Sequence, residues 1–469
     1  MSSTAPRVVM TPARRNLALV SILLSTLMGT IDTSIVNVAL PQLSTDLHVA
    51  PSETVWVATA FLLAVACAVP ATAALGDQVG RRRMYLVGLP IFTLASLACA
   101  LAPSLGLLVT FRVVQGLGSA VILAVAIPLF RRIFPPEKLG QVLGINAMTV
   151  AIGTSAGPAL GGVILAWARW PWLFLINVPV GVVAWVLAYV VVPKGQPRWG
   201  DYDTPGAVLV AAAIASFLVG LRELASPSTL PLAVGLLVVS AAFVVLFVRR
   251  ERRAVRPLIP LGLFSGLFSL TVATAWASFV AQGIAFVALP FLFQSAYDVT
   301  PLHSALLFTP WPAVIVLVAP LAGRVADRVS PAYPALVGLV VLTGGLVMCA
   351  LLGTAPPTWL VLVSTGVCGL GFGVFQSPNN RSMMAAAPLE HAASASAVLN
   401  TNRTVGQSTG AAVVSMALVI AGAEAGSVAT QASAAMNVLW VAVAASAAAV
   451  VLSAVRLRAQ LAAERFPAR

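Results

Sequence analysis

The chain has 469 residues, of which 59% are hydrophobic and only 9% are charged. Its mean hydropathy of +0.98 means more apolar side chain than a soluble core of this length could bury. This excludes a soluble globular protein and predicts an integral membrane protein. The net charge of +13 does not indicate nucleic-acid binding, because in a membrane protein the placement of positive residues carries the information. The four cysteines and three histidines show no metal-ligand spacing, so no metal site is expected.

Apolar runs long enough to cross a bilayer core of about 30 Å recur along the whole chain. In chain order they cover residues 16–38, 53–73, 84–102, 105–129, 141–166, 172–192, 205–221, 231–248, 267–291, 303–321, 333–353, 358–378, 394–420 and 433–455. We therefore predict an all-α integral membrane protein with fourteen transmembrane helices.

The positive residues concentrate on one side of that arrangement. If the first span starts in the cytoplasm, 23 of the 27 Lys and Arg residues fall in cytoplasmic loops or termini. Two fall outside, Arg169 and Arg222, and two fall within spans, Arg112 and Arg403. The positive-inside rule then predicts a multi-pass cell-membrane protein with both termini in the cytoplasm. The strong preference for Arg over Lys and the abundant alanine favour a bacterial plasma membrane.

Two similar turns indicate an internal repeat. The chain reads LGDQVGRRR between spans two and three and LAGRVADRVS between spans ten and eleven, eight spans later. This offset predicts two six-helix pseudo-repeats with a two-helix insertion between them. The predicted units are an N-terminal half at 1–195, an insertion with a basic cytoplasmic linker at 196–256 and a C-terminal half at 257–469. A simpler alternative is that any short cytoplasmic turn uses Gly and Arg.

These turns resemble the cytoplasmic hairpin motif of the major facilitator superfamily, and within it the fourteen-span drug/proton antiporters. The match departs from the family pattern at Ala73 and Gln78. The resemblance implies the major facilitator fold and a conformational gate that closes the cytoplasmic side. The implied gate residues are Asp77, Gly80, Arg81, Arg82, Asp327 and Arg328. A positive loop that only fixes topology is the alternative.

Span one contains a carboxylate, Asp32, in the apolar stretch TIDTSIVNVALP. A carboxylate in hydrocarbon is costly unless it faces a cavity, pairs or takes a proton, so a functional role is expected. Asp32 lies about 25 Å along the helix from Arg15, and Arg112 lies roughly 10 Å from the extracellular end of span four. The two charges therefore reach a similar depth, and we expect them to be partners.

The family resemblance extends to this pair. The stretch around Asp32 is similar to the antiporters' span-one motif, and Arg112 with Gln115 and Gly116 is similar to their RxxQG motif. The resemblance implies that Asp32 and Arg112 take part in proton coupling. A carboxylate that alternates between an arginine partner and an apolar environment would release and take up a proton. A static structural pair is the alternative.

Span five contains the glycine-rich stretch GTSAGPALGG. Small residues four apart allow a second helix to approach closely, and an internal proline bends the helix. The stretch resembles the superfamily's antiporter motif, which implies outward transport. Its residues are Gly153, Gly157, Pro158, Gly161 and Gly162. The following WPWLFLINVPVG is similar to the opening of span six in the same branch, with matches at Trp172, Phe174, Asn177, Pro179 and Gly181.

Further polar residues within the spans are candidates for lining a central cavity. Arg403 in span thirteen lies near the midplane, where it could hold an anionic group or the end of span twelve around Asn379, and packing between helices is the other reading. The cavity candidates are Asn37, Gln115, Gln282, Gln294, Gln376 and Arg403.

The sequence predicts a transporter. It contains no GxxxxGK[ST] phosphate loop and no catalytic constellation, so it is not expected to be an enzyme or to hydrolyse ATP. A proton gradient would be the energy source, with no cofactor. The predicted function is export of hydrophobic drugs, antibiotics or related molecules by alternating-access antiport, by a monomer whose partners are substrate, protons and lipid bilayer. Because Asp32 is the one carboxylate deep in a span, neutral or weakly charged substrates are favoured. A proton-coupled symporter that imports a small nutrient is the alternative.

Overall fold

The computed structural model describes residues 10–194, 203–226, 228–254, 257–264, 266–326, 328–387, 392–422 and 428–465. At a few helical positions within these ranges, Asp77 among them, only the backbone is described. Regular secondary structure in these ranges is entirely helical. The architecture of the described chain is therefore all-α, as predicted.

The helices follow one another with short connections. They are α1 (Pro12–Asp46), α2 (Pro51–Val79), α3 (Arg81–Ala100), α4 (Leu105–Ile133), α5 (Pro136–Trp167), α6 (Trp172–Leu175), α7 (Asn177–Val191), α8 (Thr204–Glu223), α9 (Leu230–Glu251), α10 (Gly266–Ala296), α11 (Pro301–Phe308), α12 (Pro310–Val325), α13 (Ala332–Ala350), α14 (Thr358–Ala385), α15 (Ala392–Ile420) and α16 (Val428–Arg465). Every predicted span coincides with a helix or, for spans six and ten, with the broken pairs α6–α7 and α11–α12.

Thirteen helical segments in the described ranges are long and apolar enough to cross a membrane. The remaining predicted span is α15, which has 29 residues but a polar centre, NTNRTVGQSTG. It packs against α2, α8, α10 and α16, and most of its described side chains are buried or half-buried. Its polar residues therefore face protein, which explains how a segment of low hydropathy can be placed inside the bundle.

Local sequence signals set several helix boundaries. Pro12 and Pro51 occupy the first turns of α1 and α2, where the missing amide N–H costs no hydrogen bond. The carboxylate of Asp203 caps α8 by accepting from the amide of Gly206 at 3.0 Å. Gly80 alone separates α2 from α3, with a φ of +99° that a side chain would disfavour.

The two six-helix sets pack in the same pattern. In the first set α1 packs on α5 and α7, α4 packs on α2 and α3, and α3 packs on α7. In the second set α10 packs on α15 and α16, α14 packs on α12 and α13, and α13 packs on α16. The two sets are therefore the two six-helix pseudo-repeats expected from the sequence, with α1–α7 as the first half and α10–α16 as the second. The residue boundaries 1–195, 196–256 and 257–469 stay predictions.

The halves contact each other through α2 with α15, α5 with α11 and α12, and α1 with α10. The inserted helix α8 packs against both α2 and α15, and α9 packs on α8. The insertion therefore lies beside one of the seams between the halves.

The apolar core differs between the two ends of the bundle. We call the end where α1 passes to α2 the 46–51 end, and the end where α2 passes to α3 the 80 end. One buried cluster joins both halves, and its first-half members, such as Leu43, Val55 and Trp170, lie towards the 46–51 end. Near the 80 end, the described residues form one cluster from the first half and another from the second half. Continuous apolar packing thus closes the bundle at the 46–51 end.

Candidate functional site

Asp32 lies within α1 and is fully buried. Its Oδ2 accepts a hydrogen bond from Arg112 Nη1 of α4 at 2.5 Å, and Arg112 is also fully buried. The two residues were expected to meet because of their similar depth, and the structure contains that ion pair. Their predicted role in proton coupling stays a prediction.

Two amide side chains hold the other oxygen of the carboxylate. Gln115 Nε2 and Asn177 Nδ2 each donate to Asp32 Oδ1 at 2.9 Å. Both amides also donate to Ser96 Oγ, at 3.1 and 3.0 Å respectively. The carboxylate is therefore surrounded by donors from α4 and α7, and a serine from α3 fixes the two amides.

The guanidinium of Arg112 is satisfied on several sides. Its Nε donates to the Val57 carbonyl of α2 at 2.8 Å, and its Nη1 also donates to Gln115 Oε1 at 2.7 Å. The ring of Phe61 lies 4.2 Å and that of Phe174 5.6 Å from the guanidinium carbon. Aromatic faces attract a cation, and this attraction is strongest where water is excluded. Arg112 thus joins α1, α2, α4 and α6.

The ion pair is a neutral unit in the apolar interior. Each charge alone would carry a desolvation cost of several kcal/mol, and mutual attraction offsets this cost only when geometry is good and the remaining donors and acceptors are bonded. Asp32 and Arg112 meet both conditions through the contacts described above. Such a site responds strongly to a change in charge on either partner.

The glycine-rich stretch of α5 packs on α1 beside Asp32. A Cβ at Gly157 would lie 2.9 Å from the Cβ of Ser34. Gly153 and Gly161 make similarly close approaches one turn to either side, at Thr30 and Ile35. Pro158 is buried within the same helix.

Gly162 makes the corresponding approach across the seam between the halves. A Cβ at Gly162 would lie 2.5 Å from the Cβ of Ala305 in α11. The predicted motif residues therefore place α5 against the helix that carries the carboxylate and against the second half.

The turn between α2 and α3 holds several predicted gate residues. Gly80 forms the turn itself, and Arg82 Nη2 donates to the Tyr189 carbonyl of α7 at 2.7 Å. Arg81 is half-buried, and its Nη1 lies 3.5 Å from the Pro128 carbonyl oxygen of α4. The described arginine contacts tie the turn to neighbouring helices of its own half.

The other predicted gate residues are less well defined. Arg328 is exposed after α12. Asp327 and the side chain of Asp77 lie outside the described residues. The role of the gate stays a prediction.

Three predicted cavity residues lie near contacts between helices. Gln282 of α10 is buried and accepts from Gln407 Nε2 of α15 at 3.0 Å. Gln294 Nε2 of α10 donates to the Val38 carbonyl of α1 at 2.9 Å, which links the two halves. Asn37, next to Val38, is half-buried.

The end of span twelve in the second half has a partner that the sequence did not single out. Asn379 Oδ1 there accepts from Arg456 Nη1 of α16 at 2.6 Å. Arg456 is fully buried and also reaches Thr271 of α10, because α16 continues as a helix beyond the apolar run. The expectation that Arg403 holds an anionic group or the end of span twelve stays a prediction. Arg403 and Gln376 are half-buried in α15 and α14.

Two residues of the site were not predicted as site residues. Asn177 was noted only as part of a stretch that resembles the family, although a polar amide within the apolar stretch WPWLFLINVPVG could have indicated a site residue. Ser96 gave no signal, because a single serine is common in transmembrane helices. Within the described ranges, no cluster of three or more His, Cys, Asp or Glu residues could hold a metal ion.

We predict that Arg112→Gln destabilises the protein more than the double variant Asp32→Asn/Arg112→Gln does. The single change leaves a buried carboxylate without its counter-ion, which costs about 3–5 kcal/mol, whereas the double change leaves neutral amides. Thermal unfolding of the purified proteins in detergent measures the difference. Equal destabilisation of the single and double variants would contradict the proposed coupling of the two charges.

A second prediction concerns the contact between α1 and α5. Gly157→Ala should lower stability by about 1–3 kcal/mol because the added methyl group must push the helices apart. Gly235→Ala in α9 is the matched control, since no atom lies within 4 Å of its added Cβ. Thermal unfolding in detergent compares the two, and an unchanged midpoint for Gly157→Ala would show that the contact is not tight.

Sequence comparisons place these features among known proteins. The family model described as Major Facilitator Superfamily matches residues 22–411. "Uncharacterized transporter YebQ" of Escherichia coli (strain K12) is 39% identical over 404 residues, which cover 86% of this chain and 88% of that protein. "Riboflavin transporter RibZ" of Clostridioides difficile (strain 630) is 30% identical over 402 residues, covering 85% and 87%. "Multidrug resistance protein Stp" of Mycobacterium tuberculosis (strain CDC 1551 / Oshkosh) is 33% identical over 395 residues, covering 83% and 73%.

Solved structures share the fold. A bacterial homologue of the human lysosomal transporter Spinster, in an inward-facing and unoccupied conformation, matches with a TM-score of 0.67 and 17% identity over 96% of this chain and 98% of that one. A POT family transporter in complex with 5-aminolevulinic acid matches with a TM-score of 0.69 and 15% identity over 94% and 96%. At such identities the likeness concerns the fold alone. Together with the sequence relatives, which fit its drug/proton antiporter branch, these matches confirm the resemblance, and the chain belongs to the Major Facilitator Superfamily, a family of membrane transporters and not of enzymes.

Proposed function

We propose that this transporter exports hydrophobic drugs, antibiotics or related small molecules in exchange for protons, as a monomer in a bacterial plasma membrane. The observation that carries the proposal is the buried ion pair of Asp32 and Arg112. A carboxylate inside an apolar bundle can bind one proton, and protonation would leave Arg112 as an uncompensated buried charge. Proton binding would therefore change the relative stability of the conformations available to the first half.

The packing of the two ends supports alternating access. With the predicted topology, the 46–51 end faces outwards and is closed by the apolar cluster that both halves share. The 80 end faces the cytoplasm, where the described clusters of the halves are separate. Rocking of the halves about the midplane would open the first end and close the second, with the α2–α3 turn and its second-half counterpart acting as the gate.

The chemistry of the interior supports the proposed substrate class. Asp32 is the one carboxylate deep in a predicted span, and the second half contributes aromatic rings. Phe286 of α10 packs edge-on against Phe308 and Trp311, with ring centroids 4.9 and 5.5 Å apart. A central cavity lined by such apolar and aromatic groups would suit hydrophobic molecules of little charge.

Export is favoured over import by two observations. The glycine-rich stretch of α5, which resembles the antiporter motif, packs directly on α1 at Thr30 and Ser34. One relative is named as a multidrug resistance protein. Another is named as a riboflavin transporter, and this favours a second candidate function, proton-coupled movement of a small metabolite.

We predict that adding a hydrophobic drug to proteoliposomes with an imposed pH gradient produces proton flux through the wild type and none through Asp32→Asn. The amide keeps the size of the side chain but cannot take a proton. A pH-sensitive dye inside the vesicles measures the flux, and Gly235→Ala is the control for reconstitution. A panel that includes lipophilic compounds and riboflavin would separate the two candidate functions. Equal drug movement in both proteins without proton flux would contradict antiport through Asp32.

A cross-link should test alternating access. Ser415 Oγ of α15 lies 3.0 Å from the Ser52 carbonyl oxygen of α2 at the 46–51 end. In a background without native cysteines, we expect oxidation of Ser52→Cys/Ser415→Cys to stop drug-driven flux and reduction to restore it, because the seam can no longer open.

The control pair for that experiment is Thr343→Cys/Ser446→Cys. The two hydroxyl oxygens lie 2.7 Å apart within the second half, so a disulfide there should leave the flux unchanged. Continued flux through a fully oxidised Ser52→Cys/Ser415→Cys protein would contradict the proposed motion.

A further inference from the structure

The hydrogen bonds around Asp32 have a defined direction that begins at Ser96. Ser96 Oγ donates to the Phe174 carbonyl oxygen at 3.0 Å, and a carbonyl oxygen can only accept. The single hydroxyl proton of Ser96 is therefore used, and its oxygen can act only as an acceptor towards its other neighbours. The amide groups of Gln115 and Asn177, 3.1 and 3.0 Å away, must then present N–H groups to it.

The orientation of the two amides also determines which groups face the carboxylate of Asp32. Each amide nitrogen carries two N–H groups, and in both residues the same nitrogen that donates to Ser96 also donates to Asp32 Oδ1 at 2.9 Å. Arg112 donates to Oδ2 and also to the amide oxygen of Gln115 at 2.7 Å. In the described structure, the hydrogen-bond partners of both carboxylate oxygens are thus all donors.

A protonated Asp32 would need an acceptor for its new O–H group. A buried hydroxyl without an acceptor is costly, and so is a donor that has lost its acceptor. Rotation of an amide to offer its oxygen requires that Ser96 accept no longer from that amide. Ser96 can then bond the rotated amide only by donating to its oxygen, and its single hydroxyl proton must leave the Phe174 carbonyl to do so.

We propose that Ser96 and Asn177 are positioning residues that keep hydrogen-bond donors directed at the carboxylate of Asp32, and that proton uptake by Asp32 accompanies release of Ser96 from Phe174. Phe174 belongs to the four-residue helix α6, and the chain breaks at Ile176 before α7 begins at Asn177. Release of Ser96 from the Phe174 carbonyl would therefore alter the contact between α3 and the break that separates α6 from α7. This inference rests on the proposed function because it gives that function a means of linking proton uptake to helix movement.

In the described structure, few other polar or charged groups contact the hydrogen-bond network around Asp32. Arg112 from α4 faces the carboxylate directly, and the Cys99 thiol of α3 lies 3.7 Å from Gln115 Oε1. The other contacts to the network from α2, α6 and α7 in the described structure are the Val57 and Phe174 carbonyls, aromatic rings and Asn177. On α5, glycines face α1 next to Asp32, and Gln294 of α10 donates to the Val38 carbonyl of α1. From α11, which also packs on α1, the one titratable side chain is the exposed His303.

Infrared titration of the purified protein in detergent tests the proposal without transport. The protonated carboxyl of Asp32 gives a carbonyl band that is identified by its loss in Asp32→Asn, and its pH midpoint is followed in each variant. Asn177→Leu should raise the midpoint by about one pH unit, because it removes one hydrogen bond to the charged carboxylate, which changes the equilibrium roughly tenfold. Ser96→Ala should shift the midpoint in the same direction, because Gln115 and Asn177 lose the acceptor that keeps their N–H groups in place. Ser96→Thr keeps the hydroxyl and should give a midpoint near that of the wild type.

Ser21→Ala is the matched control. Ser21 is fully buried in α1 and donates to the Ala184 carbonyl of α7 at 2.8 Å, so the change removes the same type of bond about 16 Å from Asp32. Its midpoint should equal that of the wild type. An unchanged or lowered midpoint in Ser96→Ala overturns the inference. If Ser96→Ala does not fold, an unchanged midpoint in Asn177→Leu overturns it instead.

The two proposals fail in different ways. If wild-type proteoliposomes show no drug-driven proton flux, the proposed function fails whatever the titration gives. If the wild type exchanges drug for protons but its midpoint does not respond to Ser96 or Asn177, antiport stands and the positioning role is wrong.

Discussion

The arrangement of the first half depends on the need to neutralise a carboxylate inside an apolar bundle. Asp32 is fully buried, and a lone charge in that position would be far too costly to keep. Arg112 supplies the opposite charge, and Gln115, Asn177 and Ser96 complete the set of hydrogen bonds. Because these groups come from α1, α3, α4 and α7, one site fixes the relative positions of four helices. The glycines of α5 allow a fifth helix to lie against α1 at the same level.

The two halves share a packing pattern but not a chemistry. The helix contacts of α1–α7 recur in α10–α16, yet the buried ion pair of the first half has no counterpart among the described residues of the second. There, Arg456 is buried with the neutral oxygens of Asn379, Thr271 and Ser453 as its neighbours. The interior of the second half also contains aromatic rings in mutual contact, among them Phe279, Phe286 and Trp311. A duplicated scaffold has thus kept its helix packing, which depends on shape, while its polar groups have diverged.

The seams between the halves are the surfaces that any large motion must change. At the 46–51 end they combine a continuous apolar cluster with close contacts such as Gly162 on Ala305 and the bond from Gln294 to the Val38 carbonyl. Close-packed surfaces move between discrete arrangements and do not deform continuously. The inserted helix α8 contacts both α2 and α15, so it lies against one of these seams. The ion pair of Asp32 and Arg112 lies entirely within the first half, beside α5, which also contacts the second half.

The sequence by itself determined the order and approximate extent of the spans, because the length of an apolar run can be read locally and compared with the thickness of the bilayer. It also identified Asp32 and its pairing with Arg112, since an intramembrane carboxylate is rare and distance along a helix gives its depth. Depth says nothing of direction around a helix, however, so the partner of Asn379 proved to be Arg456, and the roles of Ser96 and Asn177 stayed hidden. Only the tertiary structure decided which side chains meet and which end of the bundle is closed. These depend on packing between segments far apart in the chain, and the packing energies of alternative arrangements differ by little.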